Sequence, residues 1–203
     1  DPTESCRIAR GMIFGKVYNT RWSMERTRRD HRPRIDEAQF GAACDVHKDL
    51  LPQILETTDP ESLRGLEGAA ANAYFGILDQ MILRQKEDFF FHGRNRRPPL
   101  DNVNAMLSFA YSLLGNDCAS ALESVGLDAY VGFLHRDRPG RTSLALDLME
   151  ELRAVAMEAI ERCGRKRTRD WAAIKTAIKN DLSGYLYKHT KRNPMILPVI
   201  MEI

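Results

Sequence analysis

Residues 59–75 read DPESLRGLEGAAANAYF, and this stretch contains both a helix start and a candidate reactive group. Asp59 followed by Pro60 is a strong start signal, because an aspartate caps free N–H groups and proline fits the first helical position. The alanine-rich continuation predicts a helix that runs to about Ile82. Glu67 stands between two glycines, each of which costs roughly 1 kcal/mol relative to alanine. These glycines indicate a close approach to the backbone, while the simpler interpretation is a helix crossing with Glu67 facing solvent.

Most of the remaining chain up to Arg153 is also predicted to be helical. Apolar residues recur at helical spacing, and polar caps stand before the repeats. Two prolines, Pro98 and Pro99, end a basic loop in which helix cannot continue. Further helices are predicted over about residues 5–30, over 36–51 with a stop or bend at Pro52, over 101–114, over 115–125, and from Thr142 or Ser143 to 153.

The character of the sequence changes after Arg153. Residues 162–169 form a basic linker, Asp170–Tyr187 reads as a helix, and Met195–Ile203 is apolar, β-branched and strand-like. We therefore expect a mainly α fold, a helical bundle over residues 1–153, with a small C-terminal α/β tail over residues 154–203.

Composition is that of an ordinary globular protein. The chain has 203 residues, of which 43% are hydrophobic and 29% charged, and a formal net charge of +2. These values argue against a disordered or fibrous protein. The longest apolar run, Met195–Met201, is far shorter than the roughly 20 residues that cross a bilayer. Four widely spaced cysteines fit reduced thiols, and no secretory signal is recognisable, so we expect a cytoplasmic protein without a membrane-spanning helix.

Positive charge is concentrated near the N-terminus. Residues 7–34 contain nine basic residues against two acids, Glu25 and Asp30. Such a stretch could neutralise phosphates, or it could be the solvated face of a helix. The sequence alone leaves both interpretations open.

Three further residues could carry chemistry. Asp147 and Glu150 lie three apart on a predicted helix and point to one side, where two acids repel unless a cation joins them. His135 closes an apolar run. Exposed acids and a hydrogen-bonded structural histidine are the ordinary alternatives. Together with Glu67, these residues supply an imidazole and two or three carboxylates, a set suited to Mg²⁺ or Mn²⁺ in phosphoryl transfer.

Six motifs occur in a fixed order along the chain. They are Arg64–Ala70, Arg94–Pro99, Asn104–Phe109, Gly126–Asp128, Gly132–His135 and Leu144–Arg153. This order resembles the CRISPR spacer-acquisition integrase, the Cas-one family. The resemblance covers about residues 7–152 and corresponds to the helical catalytic domain of that family, while the family's N-terminal β-rich dimerisation domain is not matched.

The resemblance implies Glu67, His135 and Glu150 as ligands of Mg²⁺ or Mn²⁺, with Asp147 as a fourth catalytic candidate near the metal. It implies a metal-dependent DNA integrase and endonuclease, in which a DNA 3′ hydroxyl attacks a repeat phosphodiester by direct transesterification. The implied partners are double-stranded DNA, further copies of the chain and the small CRISPR adaptation partner protein. The arginines expected to contact DNA phosphates are Arg64, Arg94, Arg96, Arg97, Arg138 and Arg141.

A second resemblance concerns the tail. Asp170-Trp171, Tyr185–Tyr187 and Thr190–Ile200 are similar to the extreme C-terminus of ribonuclease J. This implies a small assembly domain over about residues 155–203 that lacks the H-x-H-x-D-H catalytic motif and should not cut RNA. The chain would then be a composite, produced by gene fusion, truncation or design.

Two other functions stay open at this point. The first is a DNA-binding or assembly module whose metal site is incomplete because its ligands are not held in place. The second is RNA processing through the tail, which predicts RNA cleavage that survives the loss of Glu67 and His135.

Overall fold

The computed structural model describes residues 1–136 and 138–153, together with residues 176, 180, 181 and 184. Its helices are α1 (Pro2–His31), α2 (Glu37–Glu56), α3 (Pro60–Met81) and α4 (Asn102–Ser124), with a short 3-10 helix over Arg32–Arg34. A fifth helix, α5, begins at residue 143 and is described to residue 153. This part of the chain contains no strand, so the mainly α fold class is confirmed. Apart from four isolated positions, the α/β tail predicted over 154–203 lies outside the described residues.

Four of the helices start at a capping aspartate, whose carboxylate accepts free N–H groups of the first turn. The aspartates and the residues whose N–H groups they accept are Asp1 with Thr3, Asp36 with Ala38 and Gln39, Asp59 with Ser62, and Asp101 with Asn104. The starts predicted at Asp36, Asp59 and Asp101 are confirmed. A cap involves residues within one turn of the helix, so it can be predicted from residues that are neighbours in the sequence.

Two predicted helix ends were wrong. Of the stop or bend predicted at Pro52, the stop is not made, because α2 continues to Glu56, and α4 passes through Gly115 without a break. Pro52 removes one hydrogen bond near the end of the helix, that to the carbonyl of Lys48, which is an exposed residue. The glycine is tolerated because buried residues of α4 lie on both sides of it in sequence and hold the helix against the core.

Two groups of buried side chains hold the helices together. The first joins α1, α2 and α3 and includes Ile13, Val17, Ile54, Leu63 and Ala70. The second draws on all five helices and includes Leu78, Leu107, Leu114, Ala145 and Met149. Phe133, in the loop between α4 and α5, packs against both groups. This packing fixes the loop where α1, α3 and α5 come together.

The basic residues of 7–34 do not form one uniform face. Lys16 is buried, and Arg10 donates to two backbone carbonyls at the end of α2. Arg28 Nη2 donates to Glu37 at 2.7 Å. These three cations stabilise contacts within the protein, so only part of the run faces solvent.

Two expectations from composition concern thiols and membranes. Cys6, Cys44 and Cys118 are buried free thiols, and Cys163 lies outside the described residues. Burial raises the pKa of Cys44 to about 11 and that of Cys118 to about 12, which makes both thiols unreactive. Among the described helices, none is long and apolar enough to cross a membrane.

Candidate functional site

Side chains from α1, α3, α5 and the α4–α5 loop meet in one cluster. Glu67 on α3 and Glu150 on α5 both contact the ammonium of Lys16 on α1. The distance from Lys16 Nζ to Glu150 Oε2 is 2.7 Å. His135, in the loop, places Nε2 3.9 Å from Glu150 Oε1. The fold thus brings together the three residues that the family resemblance implied as metal ligands, although they are far apart in the chain.

Glu150 is buried, yet its surroundings favour the charged form. Burial by itself raises the pKa of a carboxyl group, but the charges of Lys16 and Arg153 outweigh this effect and lower the pKa of Glu150 below its ordinary value. Arg153 Nη2 lies 2.7 Å from Glu150 Oε1. The other oxygen, Oε2, is buried and accepts no hydrogen bond of good geometry, although Lys16 is close. Glu150 is therefore an ionised carboxylate with a positively charged side chain beside each of its oxygens.

Asp147 organises the loop that contains His135. Its buried carboxylate accepts the backbone N–H groups of Phe133, Leu134 and His135 at 2.6, 3.0 and 3.0 Å. Its Oδ1 also lies 2.6 Å from His135 Nδ1. A carboxylate can only accept, so Nδ1 of a neutral imidazole carries the hydrogen. The lone pair then stays on Nε2, on the side of Glu150, where it can bind a cation.

Gly132 allows the same loop to pass close to α5. A Cβ at this position would lie 2.7 Å from Ser143 Cβ and 3.1 Å from Asp147 Oδ2. In contrast, a Cβ at Gly65 or Gly68 would meet no heavy atom of the described chain within 4 Å. The close approach that the sequence predicted around Glu67 is therefore not made by any residue that the structure describes.

We expect Gly132→Ala to lower the free energy of unfolding by about 1–3 kcal/mol, because the added methyl group must displace Ser143 or the Asp147 carboxylate. Urea unfolding followed by circular dichroism measures the change. Gly65→Ala is the matched control, since it adds the same methyl group at an exposed helix position. The control should be neutral or stabilising by about 1 kcal/mol. Equal effects of the two substitutions would contradict the steric role of Gly132.

A groove of about 380 Å³ lies against the cluster and is rich in arginine. Its lining includes four of the six arginines expected to contact phosphates, Arg64, Arg96, Arg138 and Arg141, together with Arg136 and Arg153. Arg64 also holds the loop, because its Nη2 donates to the Leu134 carbonyl at 2.8 Å. Arg64 and Arg136 both pair with Glu61. Six guanidinium groups against Glu61, Glu67 and Glu150 still give the groove an excess of positive charge, which favours a polyanion.

The other two arginines expected to contact phosphates do not line this groove. Arg94 Nη1 donates to Asn104 Oδ1 at 2.8 Å, and its guanidinium lies 5.7 Å from the ring centroid of Tyr111. Burial lowers the pKa of Arg94. These contacts attach the basic loop to α4, which is a structural role. Arg97 is exposed on the same loop.

Sequence reasoning missed three residues of the cluster and groove. Lys16 lies between Ile13 and Val17 of the buried stripe of α1, and a lysine inside an apolar stripe was the available signal. Arg153 follows Glu150 by three residues and so faces the same side of α5. No local pattern marks Arg136, whose position depends on the path of the loop.

The donor set suits a divalent cation. Carboxylate oxygens and an imidazole nitrogen are ligands that Mn²⁺ accepts, and Mg²⁺ prefers the oxygens. In this arrangement the Lys16 ammonium stands between Glu67 and Glu150, and no group of three His, Cys, Asp or Glu side chains in the described part of the chain holds a metal-like geometry by itself. The two carboxylates already bind one cation, the ammonium, so the residues fit a cation site.

The described residues define a class of all-helical domain that carries a carboxylate and imidazole cluster in an arginine-lined groove. The family model described as CRISPR associated protein Cas1 matches residues 1–190. The chain belongs to the Cas1 family.

Relatives in this family match most of the chain. A CRISPR-associated endonuclease Cas1 of Rhodospirillum rubrum is 52% identical over 158 residues, which cover 75% of this chain and 46% of the relative. One of Chlorobaculum tepidum is 40% identical over 210 residues, which cover 98% of this chain and 61% of the relative. The chain thus spans about half to three fifths of the length of these relatives.

Solved structures match the fold. A casposase bound to an integration product has a TM-score of 0.71 and 25% identity, and the match covers 93% of this chain and 54% of that chain. A partial Cas6-RT-Cas1–Cas2 complex has a TM-score of 0.76 and 21% identity, covering 93% of this chain and 60% of that chain. The second match supports the helical fold alone.

The resemblance of the tail to ribonuclease J is not supported. The match to the Cas1 family model extends to residue 190, and the match to the Chlorobaculum tepidum relative covers 98% of the chain. Both extend well into residues 155–203, where the sequence analysis placed a different family. RNA processing through the tail, and a composite origin of the chain, lose the resemblance on which they rested.

Proposed function

We propose that this chain is the catalytic domain of a metal-dependent DNA integrase and endonuclease of CRISPR spacer acquisition. The observation that carries the proposal is the meeting of Glu67, His135 and Glu150 in an arginine-lined groove. Membership of the Cas1 family supports it. So do the relatives named as CRISPR-associated endonucleases and the matched casposase bound to an integration product.

In the proposed reaction, the 3′ hydroxyl of a DNA fragment attacks a phosphodiester of the repeat. The new P–O bond forms as the old one breaks, so the number of phosphodiester bonds is conserved and no nucleotide hydrolysis is required. The chain's task is to hold the hydroxyl and the phosphorus in line and to balance the charge that develops on the phosphate oxygens.

Glu67, Glu150 and His135 through Nε2 would hold Mg²⁺ or Mn²⁺. When bound there, the ion would lower the pKa of the attacking hydroxyl and offset the negative charge that develops on the phosphate oxygens. The lowered pKa of Glu150 keeps this carboxylate ionised at neutral pH, and Asp147 keeps the His135 ring in one orientation. Asp147 is a positioning residue in this proposal, since its contacts are with the loop and the imidazole.

The arginines of the groove would bind the phosphates on either side of the reacting one. Arg96, Arg136 and Arg138 are exposed, and a guanidinium can donate two parallel hydrogen bonds to a phosphate. Contacts of this kind read no base sequence. The affinity for duplex DNA should therefore fall steeply as the salt concentration rises.

The assembly is part of the same proposal. One matched structure is a partial Cas6-RT-Cas1–Cas2 complex, and the family resemblance implied a homo-oligomer with the small CRISPR adaptation partner protein. We extend both to this chain, with double-stranded DNA as the substrate.

A joining assay tests the proposed function. Labelled duplex fragments with free 3′ hydroxyl ends are incubated with a repeat-containing plasmid, in Mn²⁺, in Mg²⁺ or in a chelator, and the transfer of label is measured on denaturing gels. We expect transfer only with metal, and none from matched fragments with 3′ dideoxy ends. Transfer that persists in the chelator, or neither joining nor cleavage of DNA in any condition, would contradict the proposal.

One observation favours a second candidate, a DNA-binding or assembly module without metal chemistry. The Lys16 ammonium already forms ion pairs with both carboxylates. Calorimetry with Mn²⁺ on this chain and on Glu67→Ala distinguishes the two functions. If the chain is the enzyme, it should bind Mn²⁺ and the Glu67→Ala variant should not. If the chain is a binding module, both proteins should bind duplex DNA and neither should bind Mn²⁺.

A further inference from the structure

Lys16 occupies an unusual position for a lysine. It lies in the buried stripe of α1 between Ile13 and Val17, and only 8% of its surface is exposed. Its ammonium contacts Glu67 and lies 2.7 Å from Glu150 Oε2. A buried lysine must be paired, and here its partners are two residues that the proposed function assigns to the metal.

The charges of the cluster balance without a metal. Glu67 and Glu150 contribute two negative charges, and Lys16 and Arg153 contribute two positive charges within ion-pair distance. A divalent cation bound by the same carboxylates would lie beside the ammonium and be repelled by it. Metal binding therefore requires the ammonium to leave the space between the two carboxylates.

The structure offers a place for the displaced side chain. A partly open pocket of about 30 Å³, enough for one water-sized group, is lined by Lys16, Thr20, Ser23 and His47 among mostly apolar side chains, with Arg153 also on its wall. The hydroxyl groups of Thr20 and Ser23 could accept hydrogen bonds from an ammonium. The flexible four-carbon stem of lysine allows such a movement without a change in the helix.

We infer that Lys16 is a built-in cation that holds Glu67 and Glu150 together in the metal-free protein and competes with the divalent metal for them. This inference rests on the proposed function, because it assigns the same two carboxylates to the metal. It adds a residue of α1 to the site. It also means that the metal can bind only by displacing the Lys16 ammonium from the two carboxylates.

The test is calorimetry of Mn²⁺ binding to the chain and to Lys16→Met, which keeps the length of the side chain and removes its charge. We expect the dissociation constant for Mn²⁺ to fall about tenfold in the variant. Without metal, the variant should melt at a lower temperature than the parent chain, because the buried Glu150 and the partly buried Glu67 lose their shared partner. Mn²⁺ should raise the melting temperature of the variant more than that of the parent chain. Lys48→Met, which removes an exposed lysine on α2, is the matched control and should change neither quantity.

The outcomes separate this inference from the proposed function. If the parent chain binds Mn²⁺ and Lys16→Met binds it equally or more weakly, the competition is refuted and the metal site stands. If neither protein binds Mn²⁺, both are refuted. Should Lys16→Met fail to fold, Lys16→Gln keeps a hydrogen-bond donor between the carboxylates without the charge, and it must show the same tighter binding.

Discussion

Glu150→Ala is expected to lower the rate of metal-dependent DNA joining by about 10²–10³-fold. Glu150 is the centre of the cluster, because it contacts Lys16 and Arg153 and lies 3.9 Å from His135 Nε2. Its removal takes one carboxylate from the cation site and leaves the positive charges of Lys16 and Arg153 without this partner, so that they repel a metal. Single-turnover rates at saturating Mn²⁺, with enzyme in excess over DNA, measure the effect on the chemical step.

Glu123→Ala is the matched control for this experiment. Glu123 is an exposed glutamate near the end of α4, and its loss should leave the joining rate unchanged. Glu150→Gln tests whether charge or shape matters, since the amide keeps the volume of the side chain but lacks its charge. A joining rate within twofold of the parent chain for Glu150→Ala, in a protein with an unchanged melting curve, would refute the role of Glu150.

Asp147→Ala is expected to lower the free energy of unfolding by about 3–5 kcal/mol. The buried carboxylate accepts three backbone N–H groups and contacts His135 Nδ1, and its removal leaves all four groups without this partner. The loop that contains His135 then loses its attachment to α5, so DNA joining should also fall. Urea unfolding and joining rates on the same preparation measure both effects.

Asp128→Ala provides the comparison for a loop aspartate of lesser burial. Asp128 is exposed and accepts one backbone N–H, that of Tyr130, at 2.8 Å. Its loss should cost about 1 kcal/mol or less. If Asp147→Ala costs no more than Asp128→Ala, the carboxylate does not hold the loop, and the positioning role assigned to Asp147 is wrong.

The sequence predicted the helical framework because its signals are local. Asp36, Asp59 and Asp101 cap helices through residues two or three positions away, so no knowledge of the fold was needed to find them. The two wrong helix ends, at Pro52 and Gly115, have the opposite cause. There the local preference for a break is overridden by packing and solvation that depend on the rest of the molecule.

The same division applies to the candidate site. The resemblance of motifs pointed to Glu67, His135 and Glu150, and the fold brings these three side chains together. The role of Asp147 could not be predicted, because a carboxylate at its position reads equally well as a metal ligand. Only the contacts with the backbone of residues 133–135 distinguish a group that holds a loop from a group that holds a cation.

The sequence by itself therefore determined a mainly helical protein, three of its capped helix starts and the Cas1 motifs, since each of these depends on neighbouring residues or on their order. The tertiary structure decided which charges meet. Lys16 reaches Glu67 across 51 positions, and four of the six expected arginines share a groove while Arg94 packs against α4. Contacts between residues so distant in the chain arise from the packing of α1, α3 and α5, and no local pattern encodes them.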